Sequence, residues 1–545
     1  DRCIFSDLMK ISTNDVIIKI PRIRIEKIPR KNFSYRISLL TAASVKMNRR
    51  LGLVTLTHAI LGSFGDIEAS VFNLMTVPLK IFFNESLTAH YGDVNAESFS
   101  LCFSTVASLL FVGVIVGAFT MGYLMDYIGR KQTAVILRSS LGVISGVCMF
   151  IAKPLMCFEL FSLGHFLAGI VCAFRIVLVI YMAECSPDNL RGLTSVAMSS
   201  GSILAMVIVT PLCLPSVLGN SELWICLPAI CSIMAFLHLS IAIFFPQSPK
   251  HLFIYKHDTP RSKESVLFYH GSVTNFDAIE EEYDRERLLL TNGHTSLSEV
   301  ISNRTLRWSL AIVMVCAFVP CTSAINVKSV YHATMLMSFG FDETQVMLAL
   351  MGINILSSPI CFAAPLIIEK IGRRPLFLSV SALSVFEWFL LGIAQFLADE
   401  HSEHLLYSEI LGVVGSISGS AASMLGLLVL TPIMVSELCP HPSRAIITQV
   451  STITSILFGM VFVQLYPLSV EKIGSGYHLA MLLLSSVCLI LLYKYLPETK
   501  GLPVDQIVRQ LSFEHRRRDA LLTNKNIRRS SIYGSTQSTT YFYAI

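Results

Sequence analysis

Hydrophobic and polar positions fall along this chain in blocks rather than alternating residue by residue. Apolar runs lie near 51–78, 101–124, 132–152, 157–183, 193–216 and 223–246. A polar stretch follows from about 247 to 306, and six more runs lie near 307–337, 345–368, 375–398, 405–436, 446–468 and 476–496. Each reaches the roughly 20 residues that a bilayer core demands. Over that length only a helix satisfies its own backbone in lipid. The pattern therefore predicts an all-α polytopic membrane protein with about twelve transmembrane helices, arranged as six, an insert and six.

Composition agrees with the pattern. Of 545 residues, 53% are hydrophobic and 14% charged, with a mean hydropathy of +0.63, whereas a soluble domain carries about 25% charge. The first run begins near Leu51, too far in and too long for a cleaved signal peptide. The chain does not begin with Met, so its natural N-terminus is expected to be missing or processed. The boundaries implied are a basic tail (1–50), a first bundle (51–246), a linker with short helices such as that around Asp277–Arg287 (247–306), a second bundle (307–496) and a second tail (497–545). In the first tail, Ile17–Ile25 mixes apolar and cationic side chains, which suits either an anionic inner leaflet or a disordered segment. The last tail is basic, then Ser/Thr-rich. Most of the fourteen Cys lie inside apolar runs as small hydrophobes, and none has Cys-x-x-Cys spacing, so neither a disulfide framework nor a metal site is implied.

Charge sets the sidedness. One set of run ends carries Arg49, Arg50, Arg130, Lys131, Arg191, Lys250, Lys370, Arg373, Arg374, Arg444 and Lys500. The opposite ends carry few cations and several acids, including Glu85, Asp93, Glu97, Asp342 and Asp399. The positive-inside rule then places both termini and the linker in the cytoplasm. Asn84, in the sequon Asn84-Glu85-Ser86, falls in the first external loop, open to an N-glycan, while the sequons at Asn32 and Asn303 fall inside.

Two motifs occur twice, in the same order. Gly122–Lys131 closes one run with a charged, glycine-bearing turn (Asp126, Gly129, Arg130, Lys131), and Leu366–Pro375 closes another (Glu369, Gly372, Arg373, Arg374). Glu184, Pro187 and Arg191 recur as Glu437, Pro440 and Arg444. Two motifs repeated in order mark an internal duplication, a common plan of membrane solute carriers.

These motifs resemble the sugar-porter branch of the major facilitator superfamily, close to the facilitative glucose transporters. The resemblance rests on Gly122, Leu124, Asp126, Gly129, Arg130 and Lys131, on Glu184, Pro187, Arg191 and Gly192, on Pro246-Gln-Ser-Pro-Lys250, on Gly372, Arg373 and Arg374, on Glu437 and Arg444, and on Pro497-Glu-Thr-Lys-Gly501. It implies a major facilitator fold of two six-helix bundles rocking about a central site. It also implies that the charged residues of the repeated motifs form a cytoplasmic network that holds the halves together when the site faces outward. For the substrate site it carries over Ser323, Asn326 and Tyr331 of the seventh helix, Gly426 of the tenth and, by gap-free alignment, Ser199 of the fifth. Departures are marked: the two glutamines of the family's seventh helix are absent, Pro432 stands where a Trp is expected, His165 replaces an Arg of the fourth helix, and Gln247 replaces a Glu.

Charges also sit where lipid is expected: Asp66 and Glu68 in the first run, Arg175 in the fourth and Lys328 in the seventh. An unpaired charge at a helix centre costs about 2.5–3.5 kcal/mol, so these residues are expected to pair or to face a cavity. One expectation is that Asp66 or Glu68 pairs with Lys328 across the cavity or relays a proton; fixed structural pairs are the other. His58, His165 and His332 stand apart in separate predicted helices. With no catalytic constellation, cofactor motif or phosphate-cradling loop, the reading is a solute carrier in the plasma membrane rather than an enzyme. Its implied partners are a small solute and the bilayer, with no nucleic acid. Facilitated hexose diffusion leads, with proton-coupled or anionic-solute transport and a non-transporting sensor as alternatives.

Overall fold

The computed structural model describes residues 48–93, 95–271, 276–291, 296–400, 405–439 and 441–499. Every regular element among them is helical. In the first half these are α1 (Arg49–Ile60), α2 (Phe64–Leu74), α3 (Thr76–Tyr91), α4 (Ala96–Tyr127), α5 (Arg138–Ala152, continuing a π-turn over Gln132–Leu137), α6 (Phe158–Cys185), α7 (Asp188–Leu212) and α8 (Cys226–Ala242). The linker forms α9 (Pro249–Ile254), α10 (Thr259–His270), α11 (Phe276–Thr291) and α12 (Leu297–Ser302). The second half comprises α13 (Arg304–Thr322), α14 (Ile325–Ser338), α15 (Glu343–Ile371), α16 (Arg373–Glu400), α17 (Leu405–Ala422), α18 (Leu428–Leu438), α19 (His441–Ile473) and α20 (Gly476–Tyr495). Every predicted apolar run falls on helix. Among the described residues, eight helices are long and apolar enough to cross a membrane by length and composition alone.

Burial shows why these helices stand in lipid. On α8 the residues Cys231, Ala235, His238 and Ala242, spaced at helical period, are fully buried, while Ile233 and Phe236 on the other face are each 59% exposed. Such a pattern, polar or small inside and large apolar outside, suits hydrocarbon surroundings. Close packing inside each half relies on glycine: Gly113 of α4 and Gly169 of α6 lie against each other's backbones, where any Cβ would overlap.

Among the described residues, the first, seventh and tenth spans depart from regular helical backbone part-way along. The first divides at a 3₁₀ turn (Leu61–Ser63) and again at Met75. The seventh divides at Ser323–Ala324, with a further kink at Tyr331. The tenth carries a π-turn (Ser423–Leu427) in which Gly426 takes φ +125°, a left-handed value suited to glycine. The first break also corrects the expected loop: Asn84 lies exposed on α3, and the Ser86 hydroxyl is buried, donating to Met156 O at 2.6 Å. Asn303 has a structural role, capping α13 through the N–H groups of Thr305 and Leu306.

The halves meet where α4 crosses α19, α7 lies along α15, and α2 packs on α14. Hydrogen bonds join them toward the cation-poor ends: Gln464 with Ser108 (2.5 Å), Ser104 (3.2 Å) and Thr105 (3.4 Å), and Asn73 Oδ1 accepting from Ala333 N at 3.1 Å.

Candidate functional site

The broken seventh span and the second half's core build a polar and aromatic centre. At the break, Ser323 is buried, with its hydroxyl donating to Pro320 O at 2.6 Å, so this predicted substrate residue is engaged in shaping the backbone. Asn326 is half-buried and lies against Gly459, where an added Cβ would come within 2.8 Å of its amide nitrogen. Tyr331 stacks on Tyr466 (5.5 Å, 28°) and meets Phe72 of the other half edge-on at 6.5 Å. The Tyr331 hydroxyl is buried without a hydrogen-bond partner among the described residues, which marks a position able to receive a polar ligand group. Gly426 is placed at the π-turn; the Ser199 side chain lies outside what is described. Trp388 of α16, fully buried with its indole donating to Thr322 O at 2.8 Å, is a core residue of the second half.

Asp66, Arg175 and Lys328 each pair within their own half, the fixed structural pairs that stood as the alternative to Asp66 or Glu68 meeting Lys328 across the cavity. Lys328 forms an ion pair with Glu387 of α16 and donates to Ser416 O at 3.3 Å. Asp66 is bound by Arg175, which also donates to Met198 O at 3.2 Å. Glu68 is fully buried with neither carboxylate oxygen hydrogen-bonded among the described residues; nearby Arg138, itself fully buried, lies 4.4 Å above Phe64 and donates to Val171 O and Gly62 O instead. Pairing inside a bundle meets the desolvation requirement without tying the bundles together, so relative motion of the halves breaks none of these pairs. The histidines are not isolated either: His58 Nδ1 lies 2.9 Å from His238 Nε2, whose ring reaches Ser139 Oγ at 2.7 Å, and His332 meets Ser416 Oγ at 3.0 Å. His165 instead stacks on Phe72 and Phe161.

At the cation-rich end the duplicated motifs fold into two matching cradles. In the first, Arg130 binds Glu184 (3.2 Å) and Asp126 (3.1 Å), and Glu184 accepts from the Ser248 hydroxyl. In the second, Arg373 binds Glu437 (3.0 Å), and Glu437 accepts from the Thr499 hydroxyl. The corner glycines match, Gly129 with φ +113° and Gly372 with φ +104°. So do the side chains that hold each corner: Gln247 Oε1 accepts from Lys131 N at 2.8 Å, and Glu498 accepts from Arg373 N at 3.1 Å and Arg374 N at 3.3 Å. Lys131 Nζ and Arg374 Nη2 each tie back to a carbonyl at the end of their half's last helix, Ile243 O and Tyr493 O. Arg191 donates to Ala183 O at 3.1 Å. The side chains of Glu369 and Arg444 lie outside what is described. Ser248 and Thr499 were missed as members, although their position three residues into Pro-x-Ser/Thr was visible in both copies.

Eight helices among the described residues long and apolar enough to span a bilayer, with a polar centre at broken helices, support an integral, multi-pass membrane protein. The "Sugar (and other) transporter" family model matches residues 55–511, and the chain belongs to that family. Facilitated glucose transporter member 7 of solute carrier family 2 from Mus musculus is 27% identical, the match covering 85% of this chain and 90% of that protein. Member 5 from Equus caballus is 25% identical over 84% and 92%. In fold, the chain is similar to the inward-open xylose transporter XylE from E. coli, a major facilitator protein (TM-score 0.66, 18% identity, 84% of this chain and 99% of that one). The XylE structure bound to 6-bromo-6-deoxy-D-glucose gives a TM-score of 0.62 at 18% identity, covering 85% and 99%.

Proposed function

We propose that this protein carries a hexose or related small polar solute across the plasma membrane by alternating access, as a facilitated-diffusion carrier with both termini in the cytoplasm. The observation that carries the reading is the centre formed at the broken first and seventh helices. There a buried, unpartnered Tyr331 hydroxyl and the half-buried Asn326 lie beside an aromatic cluster shared by the two halves. Sugars are bound through directed hydrogen bonds together with aromatic contact. Its relatives are named as glucose transporters and its structural neighbour as a xylose transporter, which favours a sugar as solute. The halves are fastened toward the cation-poor end, while the described pairs of the two cradles close each within its own half. That arrangement supports an inward-facing state.

Proton-coupled symport is the second reading, favoured by the partly exposed Asp66–Arg175 pair. Uptake of radiolabelled glucose and fructose by oocytes at two external pH values tests both. Saturable uptake independent of pH supports facilitated diffusion, and uptake that rises at acid pH and is lost in Asp66→Asn supports symport. No uptake, with protein at the surface, rejects both.

A further inference from the structure

The corner at Gly129 borders a cleft of about 870 Å³ at the cation-rich end of the first half. Its walls are the start of α1, the Pro246–Gln247 turn and the facing sides of α9 and α10. Every lining residue precedes residue 269, so the cleft stands apart from the boundary between the halves and from the central site.

Its hydrogen-bonding inventory is biased toward donors. Arg130 only donates, so His251 Nδ1, 2.9 Å from its guanidinium, accepts. The proton of the neutral imidazole is therefore on Nε2, and that buried atom has no hydrogen-bond partner among the described residues, in a residue that is 1% exposed and lines the cleft. Gln247 Oε1 already accepts from Lys131 N and Ser248 N, and the Gln247 amide donates to Gln132 Oε1, leaving the Gln132 amide group as a donor. Lys256 gives one N–H to Tyr127 O at 3.2 Å and retains two, and Arg50 lies 5.2 Å over Phe268. Of the carboxylates at the cleft, Asp258 is held by Arg261 at 3.4 Å and caps α10, and Glu264 is exposed at its edge. Cations and amide or imidazole N–H groups without matching acceptors among the described residues are the chemistry that holds phosphate oxygens.

We propose that this cleft binds a phosphate group, supplied by a lipid headgroup or by a free phosphomonoester, and that the bound anion acts on the Arg130–Glu184 cradle through His251. An anion accepting from Nε2–H makes Nδ1 a better acceptor and tightens its bond from Arg130. The reading as a transporter enters only in making that cradle part of the gate; binding itself does not depend on it.

The full-length protein in phosphatidylcholine nanodiscs is titrated with inorganic phosphate against sodium chloride at equal ionic strength, following Tm and heat of binding. A parallel set of discs contains phosphatidic acid. Stabilisation by inorganic phosphate, with no added effect of phosphatidic acid, identifies a soluble ligand; stabilisation by phosphatidic acid that phosphate competes away identifies a lipid. In either case Arg50→Gln/Lys256→Gln and, separately, Gln132→Met bind about tenfold more weakly or worse, a loss of about 1.4 kcal/mol, the phosphate-induced shift of each variant being read against its own Tm in chloride. If neither phosphate nor phosphatidic acid shifts Tm, or if the variants respond like the parent, the proposal is overturned. Because the readout is binding, its failure is distinct from a failure to transport.

Discussion

Gln464 of α19 and Ser108 of α4 meet at 2.5 Å across the boundary between the halves, and the same glutamine amide reaches Ser104 and Thr105. One side chain thus fastens the second half to the first near the cation-poor end. A net hydrogen bond contributes about 0.5–1.5 kcal/mol. Gln464→Leu is expected to shift the conformational equilibrium roughly tenfold toward the state open at that end. The check is peptide-resolved labelling of Cys213, buried there beside Ala333 and Met347, by a membrane-impermeant maleimide; an unchanged rate would count against the closure assigned here.

Lys328 and Glu387 form a buried pair inside the second half. Removing one partner of such a pair typically costs about 3–5 kcal/mol, whereas replacing both by apolar groups is often nearly neutral. Lys328→Met should therefore lower Tm strongly, and Lys328→Met/Glu387→Leu should recover most of the loss. If Glu387→Leu alone were harmless, the pair would not be an interdependent unit.

Much of this plan was legible in the chain. The run lengths foretold the helices, and the repeated Gly-Arg and Glu-Pro-Arg motifs foretold an internal duplication, because those signals are local; the charge network expected between the halves is not among the described pairs, which close within each half. The pairing of charges was not legible, since which bundle supplies a partner depends on how helices rotate against one another. Asp66 found Arg175 rather than Lys328 for that reason. Arg138 and Glu387 were nonetheless within reach, being charges in the middle of apolar runs like those already singled out. The breaks at Leu61 and Ser323 are marked only by Gly62 and Pro320, residues common within membrane helices, so which of them breaks a span emerges only with packing.

Tyr331 tests the central site. Its hydroxyl is buried and unpartnered, so Tyr331→Phe should leave Tm unchanged or slightly raised. A hydroxyl that bonds the solute would show itself as a KM for hexose uptake raised about three- to tenfold, the equivalent of roughly 0.5–1.5 kcal/mol. A drop in Tm with unaltered KM would reassign Tyr331 to the core.

His251 gives a pH signature outside the membrane-spanning segments. Burial, then the charges of Arg130 and Lys256, lower its pKa from the usual 6.5 to about 4. The unfolded chain takes up this proton near pH 6.5 and the folded chain only near pH 4. The stabilisation is therefore fully present above about pH 6.5 and is lost as pH falls toward 4. His251→Gln, which retains an acceptor for Arg130, should reduce the fall in Tm across that window; an identical pH profile in parent and variant would contradict the assignment.

Counterflow in proteoliposomes is the most direct test of the account. Vesicles holding the purified protein are loaded with unlabelled glucose or fructose and diluted into labelled sugar without a pH gradient. Transient accumulation above equilibrium, absent from empty vesicles and weakened by Tyr331→Phe, is the expected result for alternating access by a sugar carrier. Folded, reconstituted protein that gives no more counterflow than empty vesicles with either sugar would contradict it.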